Sequence, residues 1–509
     1  MRLAVLVILG CSRLAAPLAT KGFGAVKASK KPKAAPDVPS AAELERAASV
    51  VYDRVRTEAW WAVTAPFDDA GFDAPAAARA RLAAWLLASG GRLADGVALR
   101  PTEAGGADWG LVCAAPVLAG ARVLAVPRKC VVTSDLGART VAGRSLAAVS
   151  RAHGAGAGDA EAVAANEAAL HLALFLLEDR NDAASRFRPF HASLPRTFPG
   201  HPIFWGPAQL AEARGSSLQT QVQARRKALA EAYSRICAAC PAFQADTTMA
   251  QFAWASTAVE SRNFDVDVDG KRTTVMVPAA DMANHASPSA GKSGAHLGWA
   301  FDAHTETFVF RATDDIHPPP EGMELCLDYG VKCNSRFLIS YGFCVDGNVE
   351  VSGACPDTAT LVLQLGDAVA TWKVSANYDE GLAKFLTKLR SLFPLDLAAV
   401  QKLAMRGDGS YAAIPPEADR EREVLGALAD ISASYLDAMP NPETISSRDA
   451  RVFVQGERCV LAHLIDFAAK AAALIDALEG GADDADVAAL CATKQLQAYL
   501  AADLKLMFR

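Results

Sequence analysis

The sequence predicts an α+β protein, in which a core of short strands is interrupted by a helical insertion and followed by an all-α domain. Three observations support this fold class. Segments with strand-like patterns lie on both sides of a long central region, for example DWGLVCAAPVLAGARVLAVP before it and TTVMVPAAD after it. That region, from Glu161 to about Gln251, has helical spacing. Beyond Gly353, apolar residues recur again at helical spacing.

Two helices are predicted before the first strands. The segment AAELERAASVVYDRV has helical spacing, and AAARARLAAWLLASGG predicts an Ala/Leu helix that ends at Gly90 and Gly91. Next, DWGLVCAAPVLAGARVLAVP alternates large and small apolar residues on both sides of Ala119 and Gly120. This pattern is typical of two antiparallel strands joined by a tight turn. Residues 137 to 160 are rich in Gly and Ala and predict a loop with a short helix.

The helical insertion, at about 137–251, is followed by three further strand signals. They are TTVMVPAAD, TETFVFRAT and MELCLDYG, separated by loops such as HPPPEG. The helical stripes of the C-terminal domain consist of Val424, Leu428, Ile431 and Tyr435, and of Leu461, Leu464, Ile465 and Ala468.

Composition indicates a folded protein with two or three domains. The chain has 509 residues, of which 51% are hydrophobic and 21% charged. Its formal charge is −6, and residues 1–36 hold seven basic and no acidic residues, so the remainder carries −13. An acidic body repels phosphate backbones, which argues against a nucleic-acid partner and favours a basic protein surface.

The N-terminus predicts a targeting leader over 1–36, followed by a helical segment over 37–79. An apolar run from Leu3 to Leu9 and the small residues of AAPLA have the layout of a secretory signal. The Lys-rich, acid-free segment after it resembles a plastid transit peptide. We therefore expect plastid localisation; a plain secreted protein, a frayed tail or a cytoplasmic protein are the alternatives. No other stretch predicts a membrane span.

The eleven cysteines predict buried thiols in a reducing compartment. Cys113, Cys326 and Cys459 lie in apolar runs. Cys237 and Cys240 form a CxxC pair, but no second pair or nearby His completes a zinc site. A structural role is favoured over a redox role for this pair, and no metal is expected.

The stretch PAADMANHASPSAG, Pro278 to Gly291, places three polar side chains where an apolar segment enters a loop. They are Asp281, Asn284 and His285. Such residues can cap a helix or form an Asx turn, and they can also bind a ligand.

The segment EGMELCLDYGVKCNSRFLISYGF, placed after SRNF and PAADMANH, resembles the SET-domain protein methyltransferases, specifically the Rubisco large-subunit lysine methyltransferase-like branch. Further similar blocks are LFLLEDRNDAASRFRPFHASLPRTFPGHPIFW and RDARVFVQGERCVL. The resemblance runs from about Ala80 to Ala468. It implies a SET domain over 80–353 and a helical substrate-binding domain over 354–509.

The resemblance implies a protein-lysine N-methyltransferase that uses S-adenosyl-L-methionine. Rubisco large subunit or another non-histone plastid protein is the expected target, docked on the C-terminal domain of a monomer. Tyr329 matches the family's catalytic tyrosine, and Tyr341 matches a second tyrosine that lines the lysine channel. The alternative for both is a buried ring whose hydroxyl bonds a carbonyl.

Other site residues are implied by the same motif positions. Cofactor contacts are expected from Ala107, Trp109, Arg262, Asn284, His285 and Phe343, with Phe343 beside the adenine. Substrate contacts are expected from Ser261, Phe264, Ala280, Asp281 and Tyr341. The alternative for Arg262 is a surface ion pair.

Two departures from the family pattern leave other functions open. Asp108 stands where the family's cofactor loop has a glycine, although Gly105 and Gly106 are nearby, and Val266 stands where related enzymes can carry a substrate-contacting Arg. A catalytically weak binding module is therefore one alternative. A protein-histidine methyltransferase is another, but the apolar Phe264 and Ala280 suit a lysine stem better than an imidazole.

Overall fold

The computed structural model describes residues 39–102, 109–153, 160–288, 294–365, 368–392 and 417–504, except for 64, 69–71, 73 and 269, and also residue 291. The predicted leader, Ala107 and Asp108 lie outside the described residues.

Sixteen helices lie within the described ranges. The first ten are α1 Ala41–Val55, α2 Pro75–Ala88, α3 Ser134–Ala138, α4 Val141–His153, α5 Ala160–Asp179, α6 Arg188–Ser193, α7 Pro207–Ala211, α8 Leu218–Ala239, α9 Pro241–Asp246 and α10 Met249–Arg262. The last six are α11 Asn334–Tyr341, α12 Glu380–Arg390, α13 Ala418–Ala438, α14 Arg448–Glu479, α15 Asp484–Leu490 and α16 Lys494–Tyr499.

Twelve strands lie in the same ranges. They are β1 Arg92–Leu93, β2 Val97–Pro101, β3 Trp109–Cys113, β4 Arg122–Pro127, β5 Val132–Thr133, β6 Asn263–Val268, β7 Lys271–Met276, β8 Leu297–Asp302, β9 Thr307–Ala312, β10 Met323–Leu325, β11 Thr358–Leu365 and β12 Ala368–Ser375.

The strands form three small antiparallel sheets and a separate hairpin. The sheet orders are β1-β4-β9-β8, β10-β3-β2 and β5-β7-β6, and β11 pairs with β12. Helices α3 to α10 fill the chain between β5 and β6. The predicted strands at TTVMVPAAD, TETFVFRAT and MELCLDYG are confirmed as β7, β9 and β10.

Two details of the sequence prediction are wrong, and one predicted helix is longer than expected. Strands β3 and β4 do not form a hairpin: β3 pairs with β2 and β10, whereas β4 pairs with β1 and β9. The segment between β3 and β4 does not form a hairpin turn. Its residue Val117 instead forms an isolated antiparallel β-bridge with Ile316. The short helix predicted within 137–160 is α4, which has thirteen residues. The C-terminal region begins with the β11–β12 hairpin, so it is not entirely helical.

Two hydrophobic cores support these elements. The first lies among strands β2 to β10 and helices α5, α8 and α10, and the second among the C-terminal helices. Trp205, Leu218, Leu338 and Cys344, which precede the β11–β12 hairpin in the chain, belong to the second core. Helix α11 therefore contributes Leu338 to the core of the C-terminal helices.

The prediction of buried thiols is confirmed for six of the ten described cysteines. Cys113 is buried, Cys326 is half-buried, and Cys459 is exposed on α14 because its position faces away from the buried stripe. Cys237 and Cys240 are both buried, and burial raises the pKa of Cys237 to about 11. A thiol with this pKa is poorly suited to redox exchange.

Within the described ranges, no helix combines the length and apolar character that a bilayer crossing requires.

Candidate active site

The loop that follows β7 has a strained and buried backbone. Ala279 has a φ of +69° although it is not glycine, and its side chain is fully buried. A short 3-10 turn, Ala280–Met282, follows it. Positive φ is costly for a residue with a Cβ and persists only where the surroundings enforce it, as they often do at functional sites.

Tyr329 is hydrogen-bonded to this loop at two points. Its hydroxyl donates to the Ala283 carbonyl oxygen at 2.8 Å, and its backbone N–H donates to Nδ1 of His285 at 3.2 Å. The backbone of Leu327 also exchanges hydrogen bonds with Asn284 and Ala286, at 2.8 and 2.7 Å. The structure therefore brings together the two motifs that carried the sequence resemblance, PAADMANH and DYGVKCN.

Aromatic rings surround the Tyr329 side chain. The Tyr329 and Tyr341 ring centroids are 5.1 Å apart, and the His285 ring lies 5.2 Å from Tyr329 and 4.8 Å from Phe337. Phe343 lies 6.0 Å from His285. These five side chains are here called the aromatic cluster. Phe337, Tyr341 and Phe343 are placed by α11 and the turn that ends it, and His285 and Tyr329 by the two loops that pair beside it.

Burial determines the protonation states in the cluster. It raises the pKa of the Tyr329 phenol and that of Tyr341, so both hydroxyls stay protonated near neutral pH. Burial also lowers the pKa of His285, whose imidazole is therefore neutral under the same conditions. Nε2 of His285 is buried and has no hydrogen-bond partner among the described residues.

Arg262, at the end of α10, pairs with Asp281 in the loop. Its Nη1 donates to the carboxylate Oδ2 at 3.1 Å and to the Asp281 carbonyl oxygen at 3.0 Å. Burial of the carboxylate raises the pKa of Asp281. Arg262 is thus not a surface ion pair, because the Asp281 side chain is completely buried. The neighbouring Ser261 hydroxyl donates to the Thr257 carbonyl oxygen at 2.8 Å.

Asn284 connects the loop to the start of β3. Its side-chain amide donates to the Trp109 carbonyl oxygen at 3.3 Å and to Oε1 of Glu324 at 2.6 Å. A Cβ on Gly110 would lie 2.7 Å from Glu324 Oε1 and 3.3 Å from the Asn284 amide nitrogen. A side chain at this position would therefore require the Glu324 carboxylate, which holds the Asn284 amide, to shift.

The remaining predicted site residues lie in different surroundings. Ala280 is fully buried in the 3-10 turn. Phe264 is buried, and its ring packs against Trp299, Phe308 and Phe310, which form a separate ring cluster. The expected substrate contacts of Ala280 and Phe264 stay predictions, as do the contact roles of the other motif residues.

Three polar side chains beside the site were not predicted. Glu324 contacts Asn284, Arg79 lies over Trp109, and the Lys332 amine donates to the Tyr329 carbonyl oxygen while lying 5.8 Å from the centre of the Tyr341 ring. Glu324 and Lys332 belong to the segment EGMELCLDYGVKCNSRFLISYGF. Glu324 could have been predicted as a site residue, because it is an acidic residue within an apolar strand. Arg79 belongs to an Ala/Leu helix and carries no local signal.

Comparisons with known proteins agree with the fold. No protein-family model matches the chain. The chain is similar to the crystal structure of the SET domain of LSMT bound to lysine and AdoHcy, with 19% identity, a TM-score of 0.59, and coverage of 79% of this chain and 93% of that one. Rubisco LSMT bound to AdoMet gives 18% identity, a TM-score of 0.58, and coverage of 78% and 93%.

A curated relative is the ribosomal lysine N-methyltransferase set10 of Schizosaccharomyces pombe. It is 25% identical over 175 residues, which are 34% of this chain and 30% of that protein. The chain thus matches less than a third of the length of this relative. From the sheet arrangement, the linked loop and tyrosine motifs, and the two structural likenesses, we conclude that the chain has the SET-domain fold, in the form found in Rubisco LSMT.

Proposed function

We propose that this protein is an S-adenosylmethionine-dependent protein-lysine N-methyltransferase. The observation that carries the proposal is the contact between the Tyr329 hydroxyl and the Ala283 carbonyl oxygen, within the loop that holds Asn284 and His285. It joins the residue expected to orient an amine to the residues expected to bind the methyl donor. The structural relatives bound to AdoMet, AdoHcy and lysine support the proposal.

The polar atoms of the site fit a zwitterionic, nucleoside-bearing cofactor. Arg262 Nε, Asp281 Oδ1 and His285 Nε2 are buried and have no hydrogen-bond partner among the described residues. An unpaired buried polar atom costs roughly 1–3 kcal/mol, so such atoms indicate a missing partner. A guanidinium suits the cofactor's carboxylate, and a carboxylate oxygen suits its ammonium.

When bound, S-adenosylmethionine supplies a methyl carbon on a sulfonium, to which the lysine nitrogen bonds as the carbon–sulfur bond breaks. The chain's own residues must position a neutral amine for this displacement. Lysine in water has a pKa of about 10.4, so a dry aromatic channel favours the neutral form that carries the lone pair. Tyr329 orients this amine through its hydroxyl, and the proton released by the product leaves to solvent.

The aromatic cluster also supports lysine over histidine as the target residue. The rings of Tyr341 and Phe343 provide apolar faces for a lysine stem, and aromatic faces stabilise its cationic product. An imidazole target needs a polar partner for its second nitrogen. Ala280 offers none from its side chain.

We further propose a plastid location and a basic non-histone protein as the target, with Rubisco large subunit as the first to examine. Rubisco LSMT and the ribosomal lysine methyltransferase support protein targets of this kind. The acidic remainder of the chain, with a charge of −13 beyond residue 36, supports a basic partner. The C-terminal domain is the proposed docking unit.

The proposal is tested by incubating the protein with methyl-labelled S-adenosylmethionine and plastid extract, beside Tyr329→Phe. We expect one or a few labelled proteins with the parent and almost none with the variant. Calorimetry with S-adenosylmethionine accompanies this assay. A folded parent protein that gives no heat of binding would reject the enzyme and favour a binding module.

A further inference from the structure

The start of helix α14 contacts the residue that directly follows the aromatic cluster in the chain. Asp449, in the first turn of α14, accepts a hydrogen bond from the Cys344 backbone N–H at 3.0 Å through its Oδ1. Nη1 of Arg448 donates to the Cys344 carbonyl oxygen at 3.2 Å and to the same Asp449 oxygen at 2.9 Å. Two side chains from the C-terminal helices therefore bind both backbone polar groups of Cys344.

These hydrogen bonds fix the backbone because Cys344 is buried. The residue is 2% exposed, and its side chain belongs to the core of the C-terminal helices. A buried backbone N–H or carbonyl group needs a partner, since water does not reach it. Hydrogen bonds to a carboxylate or a guanidinium are stronger than those between neutral groups. Asp449 and Arg448 thus define where the chain leaves the aromatic cluster.

Phe343 lies between two residues whose backbones are held in this way. On one side, the Gly342 N–H donates to the Phe337 carbonyl oxygen at 3.1 Å, which closes the end of α11. On the other side, Cys344 is bound by α14. The Phe343 ring centroid lies 5.3 Å from that of Phe337 and 6.3 Å from that of Tyr341. The position of this ring therefore depends on α14 as well as on α11.

The start of α14 is itself anchored to another part of the chain. The Glu212 carboxylate accepts hydrogen bonds from the Ser446 backbone N–H at 2.9 Å, the Ser446 hydroxyl at 2.7 Å and the Ser447 backbone N–H at 3.0 Å. Ser447 is the N-cap of α14, and its hydroxyl accepts from the Ala450 N–H. Contacts outside the aromatic cluster thus set where the helix begins, so the helix can support the cluster.

We propose that Asp449 and Arg448 are positioning residues for methyl transfer. By binding Cys344, they hold the Phe343 ring in place beside the proposed cofactor site and Tyr341 of the proposed lysine channel. The inference rests on the proposed function, in which Phe343 packs beside the adenine. It gives the start of α14 a role in the transfer step that is separate from the docking of a target protein.

The test compares variants of Asp449 with a matched carboxylate on the same helix. Asp449→Ala removes the acceptor for the Cys344 N–H, whereas Asp449→Asn keeps an acceptor oxygen. Asp466→Ala is the control, because this exposed carboxylate of α14 pairs only with Lys470 one turn away in the described structure.

The acceptor in the test is Nα-acetyl-lysine, whose only amine is the side-chain amine and which is too small to need a docking surface. Transfer from methyl-labelled S-adenosylmethionine is measured as turnover per bound cofactor at saturating acceptor, and calorimetry gives the number of binding sites and the Kd of the cofactor. A loss of stability alone lowers the number of binding sites. It does not lower the turnover of each occupied site.

We expect the turnover per bound cofactor to fall about tenfold or more in Asp449→Ala, because a displaced ring disturbs the alignment of the reacting groups. The Kd of S-adenosylmethionine should rise about threefold or more in the same variant. Asp449→Asn should stay within about threefold of the parent in both quantities, and Asp466→Ala within about twofold.

Parent-like turnover and Kd in Asp449→Ala would overturn the inference, and so would equal losses in Asp449→Ala and Asp466→Ala. If Asp449→Ala does not fold, Arg448→Met takes its place at a more exposed side chain, with a smaller loss expected in the same direction. If the parent binds S-adenosylmethionine without methylating Nα-acetyl-lysine, the comparison of Kd values decides. A parent that binds no S-adenosylmethionine would instead reject the proposed function, and the inference with it.

Discussion

Burial keeps the Tyr329 phenol protonated near neutral pH, so its hydroxyl donates a hydrogen bond and does not serve as a base. Its acceptor in this structure is the Ala283 carbonyl oxygen. Phenylalanine at this position keeps the ring and its contacts with His285 and Tyr341. Tyr329→Phe should therefore lower the methyl-transfer rate by roughly 100-fold, because a misplaced amine loses near-attack geometry.

The control for this prediction is cofactor binding. Calorimetry should give a Kd for S-adenosylmethionine within a few-fold of the parent value, since the hydroxyl is not expected to hold the donor. A variant whose rate falls only in proportion to its cofactor occupancy would show that the hydroxyl has no separate role in transfer.

Gly110 is a second residue whose role can be isolated. A methyl group there would lie 2.7 Å from Glu324 Oε1 and 2.9 Å from Thr102 Cγ2, so the Glu324 carboxylate that accepts from the Asn284 amide would have to move. We expect Gly110→Ala to weaken binding of S-adenosylmethionine by about tenfold or more, with a stability loss of about 1–3 kcal/mol from overpacking.

Gly298→Ala is the matched control for Gly110→Ala, because its Cβ would meet only a Thr313 methyl group at 3.9 Å. Both glycines lie in strands. If the two variants bind the cofactor equally well by calorimetry, the close approach at Gly110 has no functional meaning.

Among single residues, sequence comparison predicted those that lie within short motifs. Asn284, His285, Asp281, Arg262 and Tyr329 come together because the loop and the tyrosine segment pair through backbone hydrogen bonds. Arg79 could not be predicted in this way. Its contact with Trp109 depends on how α2 packs beside β3, which no local pattern encodes.

At the scale of elements, periodicity predicted strands but not their partners. Alternation identified β7, β9 and β10, whereas β3 and β4 were wrongly joined into a hairpin. Strand β4 pairs with β9, which lies about 180 residues further along the chain, and such a long-range partner leaves no signal in the local pattern. Strands β11 and β12 lie in the region for which the sequence predicted helices only.

The turn that ends α11 leads from Tyr341 to Phe343 of the aromatic cluster, and its geometry yields another prediction. Gly342 has a φ of +82°, and a Cβ there would lie 2.5 Å from Cδ2 of the buried His201. Gly342→Ala should cost about 1 kcal/mol for the left-handed backbone and about 1–3 kcal/mol more for the clash. Chemical denaturation measures this loss.

Gly347→Ala separates the cost of the left-handed backbone from the cost of the clash with His201. Gly347 has a φ of +61°, but a Cβ there meets nothing within 4 Å, so only the backbone cost applies. Methyl transfer should fall in Gly342→Ala and stay close to the parent rate in Gly347→Ala. Equal stability losses in the two variants would show that His201 does not constrain the turn.

At the scale of the whole molecule, a buried carboxyl connects the SET region to the C-terminal domain. Glu457 of α14 accepts hydrogen bonds from the Ser217 backbone N–H, at 3.0 Å, and from its hydroxyl, at the start of α8. Burial raises the pKa of Glu457 to about 7. Nearby, Asp357 accepts hydrogen bonds from the Asn334 backbone and side chain, which fixes the start of α11.

This carboxyl predicts a pH dependence of stability. Its pKa is about 7 in the folded chain and 4.5 in its ordinary state, so the folded state binds more protons between those values. The resulting stabilisation is complete below pH 4.5 and is lost as the pH rises through about 7. The full effect is on the order of 3 kcal/mol.

Glu457→Gln removes this titration while keeping the side chain's shape and one acceptor oxygen for the Ser217 backbone N–H, and its amide NH2 can donate to the Ser217 hydroxyl oxygen. The free energy of unfolding, measured by urea at pH 5 and pH 8, should fall more steeply with pH in the parent than in the variant. The contributions of other titrating groups to the pH dependence cancel when the variant's free energies of unfolding are subtracted from those of the parent. If the parent and variant free energies stay parallel across this range, Glu457 is not linked to folding.

The central claim is that the PAADMANH loop and Tyr329 together form a lysine methyl-transfer site. Mass spectrometry of a target labelled from S-adenosylmethionine tests it most directly, because it identifies the methylated atom. We predict methylation of a lysine side-chain nitrogen by the parent protein and its near absence with Tyr329→Phe. Methylated histidine in place of lysine, or equal lysine methylation by the parent and the variant, would contradict this account.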